Sequence, residues 1–272
     1  MNPLDLFCDG DGPAAVDVVD LAQPLEVGMP SSPTHPSFEY ALRQRHGDVV
    51  RDDGMTGSHE VMVLGGHVGT HMDALSHVAV DGRLHGGAPV ADALEAGRYR
   101  THGIDRVPPL FRRGVLVDVP RSRGVGRLAP GEPVGVQDLL AAPEPRPGDV
   151  VLVRTGWAQL WGEPPAYLGD SDGVPGVDAG AGRWLAEHRV AAVGADTIAL
   201  EHIPAGGGLH SLPVHRILLA EAGINLIEVM TLEALSEKLA ARGTAEFLFV
   251  GAPLNVRGAT GAPIRPLAVI GS

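Results

Sequence analysis

The run Gly65-Gly66-His67-Val68-Gly69-Thr70-His71-Met72-Asp73-Ala74-Leu75-Ser76-His77 constrains this chain more than any other stretch. Three imidazoles and a carboxylate follow the pattern His-x3-His-x-Asp-x3-His, and the glycines among them decide the backbone. A spacing of four would place His67 and His71 on one helix face, but Gly65, Gly66 and Gly69 disfavour a helix. An extended turn fits better. In extended backbone His71 and Asp73, two residues apart, point to the same side. Gly69 lets the chain curl so that His67 joins them, and His77 lies one short turn beyond. Imidazole nitrogens with a carboxylate oxygen suit Zn2+, and also Mn2+ or Fe2+. A lone histidine is ordinary on a surface, whereas four ligand-type residues in so short a span read as a metal site. His77 is either the group that moves a proton or a hydrogen-bonding support for a ligand.

Charge narrows the partners. A net charge of -12 argues against nucleic acid and anionic membrane, both of which select basic surfaces. With 44% hydrophobic and 20% charged residues, the 272-residue chain has the composition of an ordinary globular protein with one substantial core. It contains no apolar run of membrane-spanning length and no basic segment followed by an apolar one at its N-terminus, so a cytoplasmic location is expected. Cys8 is the only cysteine, which excludes an intrachain disulfide.

The rest of the chain reads as a strand-rich α/β order. Strands are predicted over 16–21, 60–64, 115–119, 149–155, 190–196, 224–229, 246–250 and 267–270, the second leading into the metal motif. Asp178 is placed to cap a helix, Gly223 to stop one spanning about 213–222, and Thr231 to cap another. A single domain over residues 15–272 follows, preceded by a tail over 1–14. Two motif matches fail on context. Gly124 to Ala129 has the form Gly-x-Gly-x-x-Ala, but Pro130-Gly131 replaces the helix that a dinucleotide site needs. Gly169-Asp170-Ser171-Asp172-Gly173 matches Gly-x-Ser-x-Gly within a Pro/Gly-rich loop, not on a strand-to-helix turn. His85, on a turn, is a further candidate ligand that needs no function to explain it.

The segment from His67 to His77, His-x-Gly-Thr-His-x-Asp-x-x-x-His, resembles the signature of the cyclase family of metal-dependent hydrolases, which includes bacterial kynurenine formamidases, isatin hydrolases and some polyketide cyclases. The resemblance continues through Val18-Val19-Asp20-Leu21, Val153-Arg154-Thr155-Gly156-Trp157, Pro175-Gly176, Gly194-Ala195-Asp196-Thr197, Pro213-Val214-His215 and Gly258-Ala259-Thr260-Gly261-Ala262-Pro263. It implies a single α/β domain with a mixed β-sheet and flanking helices, of the swivelling β/β/α type, assembled as a homodimer or homotetramer. It also implies a further His and Glu as metal ligands, and His215 and Glu228 occupy those places, with His210 as the fallback for the first. A Glu on an apolar strand is costly to bury unpaired, a cost that a metal would relieve. Relative to the compact formamidases the chain carries a longer insertion, roughly residues 35–58, which could reshape the pocket or carry oligomer contacts.

The expected chemistry is hydrolysis of a small amide, with an aryl formamide or a cyclic amide as the substrate class the resemblance implies and one or two Zn2+ or Mn2+ ions activating water. His77, near the ordinary imidazole value of ~6.5, would take the proton and deliver it to the leaving nitrogen. A polyketide cyclase or dehydratase would use the same metal to polarise a ketone. A metal-stabilised binding module without turnover is the third reading. Aromatic residues make up only 4% of the chain, too few to name the small-molecule substrate from sequence.

Overall fold

The computed structural model describes residues 16–271 apart from Asp170 and Leu209, together with the backbone of Cys8–Asp9 and Gly12–Pro13. The expected tail over 1–14 and the Gly-x-Ser-x-Gly position Asp170 otherwise fall outside the described residues.

Eleven strands position the site. They are β1 Val16–Asp20, β2 Glu39–Gln44, β3 His59–Val63, β4 His71–Asp73, β5 Leu110–Asp118, β6 Val150–Arg154, β7 Ala192–Ala195, β8 Asn225–Glu228, β9 Glu246–Gly251, β10 Gly261–Pro263 and β11 Leu267–Gly271. Nine of them form one mixed sheet in the order β10-β4-β8-β7-β6-β5-β9-β11-β1. The four central strands, β8 to β5, run parallel, and the outer ones pair antiparallel.

Side-chain alternation divides the core between the two faces of this sheet. In the wholly buried β6, Val150 and Leu152 join one cluster with Leu235 and Leu239, while Val151 and Val153 join another with Leu185 and Leu218. The helices follow from that division: α1 Ala179–Glu187 and α2 Pro213–His215 lie with one cluster, α3 Glu233–Ala241 with the other. Asp178 caps α1 as its position predicts, accepting the Ala181 N–H at 2.7 Å. The helix opened by Pro213 widens into π turns over Arg216–Ala222 and stops at Gly223 in left-handed backbone. Thr231 caps nothing: α3 begins after Leu232 with no side-chain cap, and the Thr231 N–H donates to Leu21 O instead.

The strand predicted over 60–64 exists but not in the sheet. It is β3; among the described residues it pairs only with β2, and all five of its residues are exposed. β5 is also longer than predicted, starting at Leu110. Among the described residues no helix is long and apolar enough to cross a membrane.

Ligand-type residues gather at the carboxyl ends of the parallel strands, where binding sites form in such sheets. β8 ends on Glu228, and antiparallel β4 lies beside it with His71 opposite Glu228. That register puts Glu228, His71 and Asp73 on one face of the sheet edge.

Candidate metal centre

Local backbone shapes the first half of the site. Gly69 stands at φ +64°, and a Cβ there would lie 2.4 Å from Leu25 Cδ2. This turn brings His67 back toward Asp73, and the Nδ1 of His67 lies 2.7 Å from Asp73 Oδ1. On the other side His67 Nε2 meets Thr260 Oγ1 at 3.0 Å. His77 follows a turn closed by its own N–H on Ala74 O, and its ring centroid is 4.0 Å from that of His67.

Two further imidazoles are oriented from behind. His71 Nδ1 donates to Gly69 O at 2.8 Å, because a carbonyl can only accept. The free Nε2 then lies 3.4 Å from Glu228 Oε2 and 3.5 Å from Asp73 Oδ1. His215 Nδ1 is held 2.5 Å from Glu201 Oε1, and its Nε2 lies 3.2 Å from Glu228 Oε1 and 3.7 Å from Asp73 Oδ2. Anchoring Nδ1 outward in this way leaves an Nε2 lone pair for a cation, the usual arrangement of a metal-ligating histidine.

Burial and neighbouring charge set the protonation of these groups. Burial raises the Asp73 carboxyl, but the fields of His77, His67 and His71 outweigh it and hold Asp73 below the usual carboxylate range. Burial likewise disfavours charge on His71 and His215, yet Glu228 with Asp73, and Glu201 for His215, raise both. His77 departs from the sequence expectation of an ordinary imidazole. Burial, with His67 and His215 beside it, pushes His77 down to about 4, so at neutral pH it is uncharged and able to accept a proton.

The donor atoms form two groups that share Asp73: His67, Asp73 and His77 in one, His71, Asp73 and Glu228 in the other, each within 4.8 Å. His215 closes on the second through its distances to Asp73 and Glu228. The geometry thus leaves His77 among potential ligands as well as potential bases. Among the described residues, buried Asp73 Oδ2 makes no hydrogen bond, and Glu228 Oε1 has only His215 Nε2 at 3.2 Å, outside hydrogen-bond geometry. An ionised oxygen in that position is costly unless a cation meets it, so the residues fit a divalent metal.

All six residues singled out by sequence, His67, His71, Asp73, His77, His215 and Glu228, come together. His210 does not: it is exposed and lines a cavity of about 580 Å3 with Ser32, Thr34, Leu168, Val174 and Ile203. His85 is also elsewhere, with Nδ1 3.2 Å from Ala220 O beneath the π turns. Three residues escaped the sequence reading. Glu201, fully buried, anchors His215; Thr260 contacts His67; and His35 stacks on His67 at 5.2 Å between centroids. Glu201 carried a signal, a lone acid in the apolar run Ile198 to Ile203. His35 follows directly on Ser32, Pro33 and Thr34, which line that cavity.

A family model described as "Putative cyclase" matches residues 19–202. An isatin hydrolase of Roseibium aggregatum is 28% identical over 217 residues, covering 77% of this chain and 73% of its own length. A crystal structure described as a novel cyclase superposes with a TM-score of 0.85 at 30% identity, covering 98% of this chain and 90% of that one. Isatin hydrolase A from Ralstonia solanacearum has the same fold, with a TM-score of 0.71 at 23% identity over 94% of this chain and 92% of that one.

Proposed function

The chain belongs to the cyclase family, and from that premise we propose that it is a metal-dependent hydrolase of a small amide, a cyclic amide or aryl formamide. The observation that carries this reading is the pair of buried carboxylates, Asp73 and Glu228, each with an oxygen that makes no hydrogen bond of its own among imidazoles anchored through Nδ1. His67, His71, Asp73, His215 and Glu228 would hold one or two ions, Zn2+ or Mn2+. When bound, such an ion polarises a carbonyl and lowers the pKa of water from about 15.7 toward about 7.

His77 does the proton work. Uncharged at neutral pH, it accepts the proton that the attacking water loses as its oxygen bonds to the carbonyl carbon. It returns that proton to the nitrogen as the C–N bond breaks, giving a carboxylic acid and an amine. Leu168, Val174, Ile198 and Ile203 offer an apolar wall for a flat ring, and Ser32 and Thr34 offer hydroxyls at its edge. Similarity to isatin hydrolase favours the cyclic amide.

A cyclase that polarises a ketone without consuming water is the second reading, favoured by the structure described as a novel cyclase. A mass-spectrometric screen separates the two. Metal-loaded protein is expected to convert isatin to a product heavier by one water, or to release formate from N-formylkynurenine or formanilides, with EDTA abolishing both. Bound metal with no conversion of any of them would overturn the hydrolase reading.

A further inference from the structure

His85 reaches from one half of the metal centre to the other. It stands half-buried on a short turn, His85–Gly87, a little beyond His77. The loop that carries it is tied to itself: the Val80 and Arg83 N–H groups each donate to the other's carbonyl at 2.9 Å, and the Leu84 N–H donates to Ala88 O at 2.8 Å. From this base the ring crosses to the helix that carries His215. Its Nδ1 donates to Ala220 O at 3.2 Å, the carbonyl fixing the tautomer because it can only accept. The same ring lies on Gly223, where a Cβ would stand 2.5 Å from Nε2, 2.7 Å from Cε1 and 3.0 Å from Cδ2. His102 meets the ring edge-on at 6.0 Å between centroids, and His102 O accepts the N–H of Ser76, the residue before His77.

What His85 touches is the least regular stretch of that helix. Directly after His215 the hydrogen bonding shifts to π turns over Arg216–Ala222, and the Gly223 N–H closes the last of them on Leu218 O. A π turn takes one residue more than an α turn; it is rare, and occurs mostly at functional sites. Support is needed at this end, since the last carbonyls of a helix, Ala220 O among them, have no partner farther along it. Beyond Gly223 the chain enters β8, which ends on Glu228, so the register of the π turns sets how His215 stands to Glu228. Tightening to α turns would rotate every residue ahead of Gly223, and His215 most of all. Glu201 clamps the front of the helix through the Val214 and His215 N–H groups, and His85 clamps its end. Building on the metal reading of this site, we propose that His85 is a positioning residue, a strut that holds the π turns and through them keeps His215 Nε2 facing Glu228 and Asp73.

Two variants of the full chain separate the hydrogen bond from simple packing. His85→Phe keeps a ring on Gly223 without the donor, and His85→Asn returns a donor near the position of Nδ1. Competition titration against a chelator is expected to show Zn2+ affinity about 3–10-fold weaker for His85→Phe, the size of one hydrogen bond's contribution, and within about twofold of the wild type for His85→Asn. Amide exchange over 216–223 quickens in His85→Phe and recovers in His85→Asn. Wild-type affinity in His85→Phe, or an equal loss in both variants, would overturn the proposal. Nuclear magnetic resonance of the ring nitrogens tests the wild type without substitution: His85 is expected as the Nδ1–H tautomer, and an Nε2–H tautomer would overturn the strut. A wild type that binds no Zn2+ would overturn the metal reading, and the tautomer and the exchange over 216–223 would then support or overturn the strut on their own.

Discussion

Glu201 holds His215 twice with one oxygen: Oε1 lies 2.5 Å from the ring Nδ1 and accepts the His215 backbone N–H at 3.0 Å. Its other oxygen accepts the Val214 N–H at 3.0 Å, so one carboxylate both starts the helix and aims the ring. Glu201→Gln keeps the shape and removes the charge. Metal affinity is expected to fall about 10–100-fold, the usual cost of losing such an orienting partner. Competition titration against a chelator reads it, and unchanged affinity would deny Glu201 this role.

Gly261 lies where a side chain cannot go. A Cβ there would stand 2.5 Å from His67 Cε1, and that ring is pinned between Asp73 and Thr260. Gly261→Ala should therefore swing His67 off Asp73 and weaken metal binding at least about tenfold, while the far-ultraviolet circular dichroism stays that of the wild type.

For His77 the geometry permits two roles, and one variant separates them. With a proton-transfer role, His77→Ala keeps its metal by elemental analysis and loses about 10²–10⁴-fold in turnover of isatin. Loss of metal along with activity would make His77 a ligand instead.

The buried oxygens of Asp73 and Glu228 that make no hydrogen bond predict a strong response to divalent ions. At about 100 times Kd, Zn2+ or Mn2+ should stabilise the fold by roughly 2.7 kcal/mol, visible as a rise in Tm that EDTA reverses. Glu228→Gln is expected to lose that rise. A Tm indifferent to metal in the wild type would contradict the site.

Asp196 supplies a pH dependence away from the ligands. Burial pushes its carboxyl up to about 6, against the pull of three hydrogen bonds from Thr155 and Gly156. An unfolded Asp titrates near ~3.9, so between roughly pH 4 and 6 the folded chain keeps a proton that the unfolded chain releases. Stability from this group is highest at the acid end and falls as pH rises through the window, by roughly 2–3 kcal/mol. Urea unfolding of metal-free protein should show Asp196→Asn lacking this fall, so that its deficit against the wild type narrows toward pH 6.

What the sequence determined on its own is local. The glycines of 65–69 dictate an extended turn, and alternation dictates that His71 and Asp73 share a side, because backbone preference and side-chain period act over a few residues. The buried run of β6 and the cap at Asp178 were legible for the same reason. The strand at 60–64 was legible as a strand but not in its place, since periodicity says nothing about which edge will pair. Tertiary structure alone decided that Glu228 lies opposite His71, that Glu201 stands behind His215, and that Thr260, 193 positions away, meets His67. Those contacts depend on sheet register and on the packing of two buried faces, which the whole core sets together. They also decided the protonation of His77, whose departure from an ordinary imidazole comes from burial and from charges that folding brings beside it.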